Sequence, residues 1–552
     1  MPAAEERRTS VVGGHLAANA VCAGQARKFS ILASGGKLAI RNFDMHRKLL
    51  ILLTAAPLTW ACGDGSGNDE SETETSSIET DDAGETGAPS TTPAKGISIT
   101  SVTASQGTAV TIGQNGEWVD GNGRETRLIR DRNALIRVHH VLEEGWTARL
   151  IEARLTLIFP SGEQKVLTQQ LEIQTDSNPR FLDRGFYFGL DHEAGFVEPG
   201  MSYQIELYEA TDGAGSGGQG ITVTPPQPEL IGFEDVQMEM KVMYVPFTYT
   251  PNGTTPDLNE EVQKTLTDLM FEQQPIQTLH AEFHAPVTYS QNISDLGQLL
   301  SAVDQVRTQD GAPSNIYYAG IINLGNPSGA FVAGIAPLGG NVSANRIVTS
   351  LGYDETAEVI VHETGHNQGL NHIECPGQLQ SAGNDSSYPD HPNGRILSTG
   401  FGLKSFRIYG SELNYDYMSY CNDRWTSPWT WNKVWGRISQ FTAQGDVGEP
   451  QRPVLRHAVY ADGSEEWWNS YAVLDDADLT GNAEMEFVRD GVVVSTTLAK
   501  REILSDGKTE WITAPLPAGQ VVEDFDAFRE RAAGTERSAD LSEIKIIRRR
   551  SP

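Results

Sequence analysis

Positive charge is what this chain has least of. Against 73 Asp and Glu stand 42 Lys and Arg, so its 552 residues carry a formal net charge of -31. That balance excludes nucleic acid and anionic membrane surfaces as partners, because both repel a strongly acidic protein. Long apolar runs are missing too. The run over residues 49–61 falls short of the ~20 apolar residues that spanning a bilayer takes. Calcium-loop spacing is also absent: Asp475-Asp476-Ala477-Asp478 is acidic but lacks the alternation of such a loop, so it reads as a turn and no calcium is assigned. Cysteine is scarce, with four in the chain.

The first hundred residues divide by composition. Met45-His46-Arg47-Lys48 is a short basic start, and the apolar run after it ends in Ala61-Cys62, the pattern of a secretory signal peptide over residues 45–61. An export signal does not belong 44 residues in, so Met45 is expected to be the true start and residues 1–44 a non-native upstream extension. Cys62 stands where a bacterial lipoprotein carries its lipid, and a membrane is expected as a partner only through that anchor; cleavage and release is the alternative. Residues 62–96 are acidic, rich in Ser, Thr and Gly, and too poor in apolar side chains to fold, which makes them a solvated tether.

The chain is long enough for about two to four domains. Residues 97–226 alternate apolar and polar with Gly, Pro and Asn punctuation, the pattern of a β-sandwich. His139 and His140 are adjacent there and point to opposite strand faces, so they do not share a metal. Residues 227–447 mix strands with helices. A helix is expected over 257–272, with Asp257 and Glu260 as a capping box, and strands over 236–247, 281–289, 315–324 and 346–350. Residues 448–552 return to β-type patterning, as a small accessory domain.

The chemistry concentrates in His362-Glu363-Thr364-Gly365-His366-Asn367-Gln368-Gly369-Leu370-Asn371-His372, the pattern H-E-x-x-H-x-x-G-x-x-H. On a helix over 354–368, with Asp354 as its N-cap, His362 and His366 are four apart and share a face. Glu363 lies about 100° around, near enough to serve a metal-held water without competing as a ligand. Gly369 gives the backbone freedom to end the helix and turn, which returns His372 as a third ligand. Three histidines with a fourth position open mark a catalytic zinc site, with one Zn²⁺ as cofactor.

Downstream lies Asp416-Tyr417-Met418-Ser419-Tyr420-Cys421. With the zinc motif, this segment resembles the metzincin zinc endopeptidases, nearest to bacterial secreted ones and the mucin-cleaving enteric proteases. The resemblance covers about residues 230–445 and implies a multidomain protein. In it an α/β catalytic domain, with a mixed twisted sheet and a zinc helix, is flanked by β-sandwich-type accessory domains. It makes Met418 the turn methionine under the metal and Tyr420 a residue beside it, donating to the developing oxyanion. It also makes residues 331–337 the edge strand that aligns an extended substrate. After the third histidine, Ile373-Glu374-Cys375 departs from the Asp, Pro or Ser common there, which leaves the subfamily open. No cysteine-switch pattern is present. Cys375 and Cys421 follow the third ligand and the turn, and in an exported protein a disulfide joining them is expected.

The long insert over 376–414 is expected to form a rim shaping specificity, with His391 exposed rather than a ligand. Trp425, Trp429, Trp431 and Trp435 are expected to pack a closing helix more than to stack on glycans. The expected activity is hydrolysis of an extended polypeptide or glycoprotein outside the cell. A mucin-specific protease and a non-catalytic adhesin with a degenerate protease core are the alternatives.

Overall fold

The computed structural model describes residues 91–550 apart from 212–214, 326–331, 340–346, 353, 379–382, 480–482 and 533. All of them belong to one compact unit, residues 84–552. The signal-like run, Cys62 and most of the acidic tether lie outside the described residues. The described part is mostly β, built from several sheets with four α-helices among them. No described helix is long and apolar enough to cross a membrane.

The first layer pair is a β-sandwich. Glu117–Trp118, Ala109–Gln114, Ile97–Ser105, Ala134–Leu142 and Phe186–Leu190 form one antiparallel sheet. Val223–Leu230, Ser202–Glu209, Arg149–Ile158 and Gln164–Ile173 form the other. Alternation sends Ile99, Val102, Ile136 and Val138 from one sheet and Ile151, Leu155, Tyr203 and Ile205 from the other into a shared core. His140 sits at the margin of that core, its ring 5.9 Å from Phe186.

A six-stranded sheet follows, in the order Thr278–Phe283, Glu239–Tyr249, Ile316–Ile322, Ile347–Leu351, Gly334–Ile335, with Val287–Tyr289 also paired to Glu239–Tyr249. Every pairing is parallel except that of Gly334–Ile335, which runs antiparallel at the edge. Strands covered on both faces read as continuous apolar runs, and Ile316–Ile322 is buried at every position but its first. The helices are α1 (Glu260–Gln273), α2 (Leu296–Asp310), α3 (Thr356–Asn367) and α4 (Pro428–Ala443).

Three local expectations fail. The α1 cap is Asn259, whose side chain accepts from the Glu261 and Val262 amides, not Asp257. Residues 281–289 are two strands, not one, because Pro286 cannot donate to the ladder. Glu355, not Asp354, precedes α3, and no side chain caps it. Helix α2 was not expected at all, although Asp295 caps its start and Gly311, at φ +65°, closes it.

The last hundred residues form an eight-stranded sheet in which Val492–Ile503, Glu510–Pro515 and Arg452–Val459 are central. One face shares a core with α2: Ala458, Trp468, Leu504 and Trp511 pack with Leu299, Leu300 and Val303, all fully buried. Within it Asp304 Oδ2 accepts from Trp468 Nε1 at 2.8 Å and pairs with Arg456 Nε at 3.1 Å. A buried ion pair is costly to break, so this sheet is fixed against the helix that backs the six-stranded sheet.

Candidate metal centre

Helix α3 is buried along nearly its whole length, with Ala357, Ile360 and Val361 in one core with Ala319, Ile321 and Val348 of the parallel strands. Its last two turns carry His362 and His366. The Leu370 amide donates to the Gly365 carbonyl at 3.0 Å as the chain leaves the helix. Gly369 takes φ +95°, a backbone that side chains with a Cβ rarely adopt. Past this turn the chain comes back and His372 faces the helix. The ligand nitrogens of His362, His366 and His372 all lie within 4.8 Å of one another, and the three residues are buried.

The hydrogen bonds fix which nitrogens converge. His362 Nδ1 is 2.8 Å from the Tyr417 carbonyl, and His366 Nδ1 is 2.8 Å from the Leu370 carbonyl. A carbonyl only accepts, so both Nδ1 atoms carry the proton and both Nε2 atoms present lone pairs. His366 Nε2 stands 3.1 Å from His372 Nε2. Two imidazoles on one tetrahedral zinc, each bonded at ~2.05 Å, would be about 3.3 Å apart. Burial, and the repulsion of the neighbouring imidazoles, hold His362 well below its ordinary pKa and push His366 down to about 3. Both are therefore neutral, the state a metal ligand needs. Nitrogen donors, spacing and protonation all fit a borderline-soft dication.

Glu363 is 5 % exposed. Its Oε2 accepts a hydrogen bond from the Ser505 hydroxyl at 3.1 Å. Oε1 accepts none among the described residues. Burial, and to a lesser degree Asp506, raise the carboxyl, and the Ser505 hydrogen bond lowers it; the balance is about 8. Above it passes the edge strand. A Cβ at Gly334 would fall 2.8 Å from Glu363 Oε1 and 2.5 Å from Val359 Cγ1, so glycine there makes room for the carboxylate. Of the expected edge segment, Phe331 lies outside the described residues and Gly334–Ile335 is the strand.

Below the histidines is Met418, fully buried. Its carbonyl accepts from the Ile373 amide at 3.0 Å, and its amide donates to Asp416 Oδ1 at 2.9 Å. Asp416 also accepts from Thr430 at the start of α4. Burial pushes this carboxyl up to about 6, against the hydrogen bonds from Ser427, Thr430 and the Met418 amide. Cys375 and Cys421 form a disulfide with Cα atoms 5.3 Å apart, tying the third-ligand segment to the turn. The Tyr420 ring packs edge-on against His372, centroids 4.6 Å apart, and is 5.8 Å from His362. At 38 % exposure it is the open side of the site.

His362, Glu363, His366, Gly369, His372, Cys375, Met418, Tyr420 and Cys421 are thus gathered in one place, while Cys62 lies outside the described residues. His391 is exposed and pairs with Glu374 at 3.2 Å, away from the ligand group. Trp425, Trp431 and Trp435 are buried, as a packing role requires. Sequence reasoning passed over three residues. Gly365 and Asp416 stood inside segments already singled out, but what each touches is set by the tertiary fold. Ser505 gave no signal, being 142 residues from Glu363.

No family model matches the chain, and no curated protein matches it. Among solved structures it is similar at 14 % identity to a chaperone-substrate complex, with a TM-score of 0.22 over 47 % of this chain and 39 % of that one. A calcium binding mutant of Bacteroides uniformis beta-glucuronidase 2 follows at 9 % identity and a TM-score of 0.14, over 50 % of this chain and 26 % of that one. The chain spans well under half the length of either, and likeness at this level assigns nothing.

Proposed function

We propose that this chain is a zinc-dependent endopeptidase of metzincin type, acting on extended polypeptide or glycoprotein outside the cell. The observation that carries this reading is the convergence of three buried imidazoles with a carboxylate that follows the first of them but stands outside the ligand group. Structural metal sites are closed by four protein ligands, and three are present here among the described residues.

His362, His366 and His372 would hold the ion. When bound, zinc supplies a polarised carbonyl and an acidified water. Glu363 takes the proton of the attacking water at Oε1, the oxygen with no hydrogen-bond partner among the described residues, and passes it to the leaving amine. Tyr420, on the exposed side, donates to the oxyanion as it forms. Met418 and the disulfide hold the floor on which His372 is placed. The substrate lies extended along the strand Gly334–Ile335, where backbone pairing gives affinity without demanding a sequence. Export, with a lipid anchor at Cys62, belongs to the same proposal.

The test is a peptide-library digest by zinc-loaded wild type beside Glu363→Ala. Cleavage by wild type and a loss of several orders of magnitude in the variant are expected. Equal cleavage by both would remove Glu363 from the reaction and the mechanism with it.

A further inference from the structure

We propose that Ser505, from the C-terminal sheet, is the positioning residue for Glu363. The proposal rests on the peptidase reading above and names a part of the site that lies outside the zinc motif. Ser505 is at the turn joining the strands Val492–Ile503 and Glu510–Pro515, and is 4 % exposed. Three of its hydrogen bonds reach the edge strand and the base. Its amide donates to the Ala336 carbonyl at 3.0 Å. Its hydroxyl oxygen accepts from the Ala336 amide at 3.0 Å. The hydroxyl donates to Glu363 Oε2 at 3.1 Å. An accepted bond polarises the donated one, so the pair strengthens the hold on the carboxylate.

The contact needs a rigid support, and the turn has one. Leu504 and Trp511, on either side of it, are fully buried in the core shared with α2. Asp506 closes the turn on itself by accepting from the Lys508 and Thr509 amides at 2.9 and 3.0 Å. Ala336 directly follows the edge strand, so the same contact fixes the strand end and the base together.

Why the base needs this follows from its chemistry. The terminal torsion of a glutamate is broad, and a carboxylate held at one end only samples many orientations. Proton abstraction requires one of them, with the reacting oxygen within about 3 Å of the water. Pinning Oε2 leaves Oε1 as the reacting oxygen and selects that orientation. The role is separable from mere docking of the C-terminal sheet, which the buried Arg456–Asp304 pair and the tryptophans already secure.

Three forms of the full chain test the proposal: wild type, Ser505→Ala and Ser505→Thr, each assayed on dye-labelled casein and dye-labelled mucin, with zinc content, melting temperature and a crystal structure of the alanine variant. In Ser505→Ala, kcat should fall about 10- to 100-fold, the loss usual for an outer-shell partner. KM should move much less than kcat, because the Ser505 amide still donates to the Ala336 carbonyl and keeps the strand end in place. Zinc content should hold, the melting temperature should fall only by the few degrees that loss of the acceptor for the buried Ala336 amide costs, Ser505→Thr should recover most of the turnover, and the Glu363 carboxylate should be rotated or split between conformers. Wild-type turnover in Ser505→Ala, or a Glu363 carboxylate unmoved in its crystal structure, would overturn the proposal. So would a loss that comes with zinc or folding, since that marks a structural role. Wild-type protein that holds no zinc and leaves both substrates intact would instead defeat the peptidase reading itself.

Discussion

Gly365→Ala sets two effects of known size against each other. Gly365 lies in the last turn of α3 between His362 and His366, and alanine there gains about 1 kcal/mol of helix propensity. Packing opposes it. A Cβ on Gly365 would lie 2.4 Å from Met418 Sδ, 3.0 Å from Tyr417 Cε2 and 3.3 Å from Leu370 Cδ1. Comfortable contact is about 3.5–4.0 Å, so the sulfur must retreat by more than ~1 Å. Met418 is fully buried and its backbone is held at both ends by Ile373 and Asp416. Overpacking of this kind costs about 1–3 kcal/mol, so the net effect is a destabilisation of up to about 2 kcal/mol. The same displacement moves the floor under His366. Thermal melts with zinc-binding titrations are the assay, run on Gly365→Ala, Met418→Ala and the pair. The melting temperature should fall in Gly365→Ala, zinc should bind more weakly, and the double variant should be less destabilised than the sum, by about 0.5–3 kcal/mol. Gly365→Ala protein that melts at or above wild type with unchanged zinc affinity would refute the reasoning, as would an additive cycle.

Other consequences follow from the same geometry. Burial raises Asp416 from 3.8 to about 6, so its contribution to stability is fully present below about pH 4 and is lost as pH rises through about 6. The size is up to about 3 kcal/mol, at 1.36 kcal/mol per unit, and urea midpoints from pH 4 to 7 should show a slope in wild type that Asp416→Asn lacks. Tyr420→Phe should retain zinc and lose turnover by about 100-fold, as removal of an oxyanion donor does; unchanged kcat would leave Tyr420 a rim residue. Cys375→Ser should lower stability by about 2–4 kcal/mol, because the disulfide closes a loop spanning a sequence separation of 46, and should speed zinc loss to a chelator.

The candidate metal centre was legible because its chemistry is written locally. Helical spacing alone places His362 and His366 on one face, and Gly369 ends the helix where a glycine is needed. The sandwich was legible for a similar reason, since period-two alternation over 202–209 survives in the burial of that strand. What could not be read depends on contacts between distant segments. Gly365 is an unspecified position in the motif until Met418 Sδ is placed against it. Ser505 lies in an ordinary-looking turn, and only the shared core of Trp511 with α2 carries it to Glu363. Helix α2 was a different case. Its Asp295 cap and Gly311 stop were visible in the sequence, but 296–310 mixes polar residues into its buried face, including Asp304 and Arg307, which blurs the apolar stripe.

The most direct test of the central claim is zinc stoichiometry by elemental analysis of the purified full chain, in wild type, Glu363→Ala and His366→Ala. One zinc per chain in wild type and in Glu363→Ala, with little in His366→Ala, is the predicted result. Zinc-free wild type, or zinc retained after loss of His366, would contradict the account.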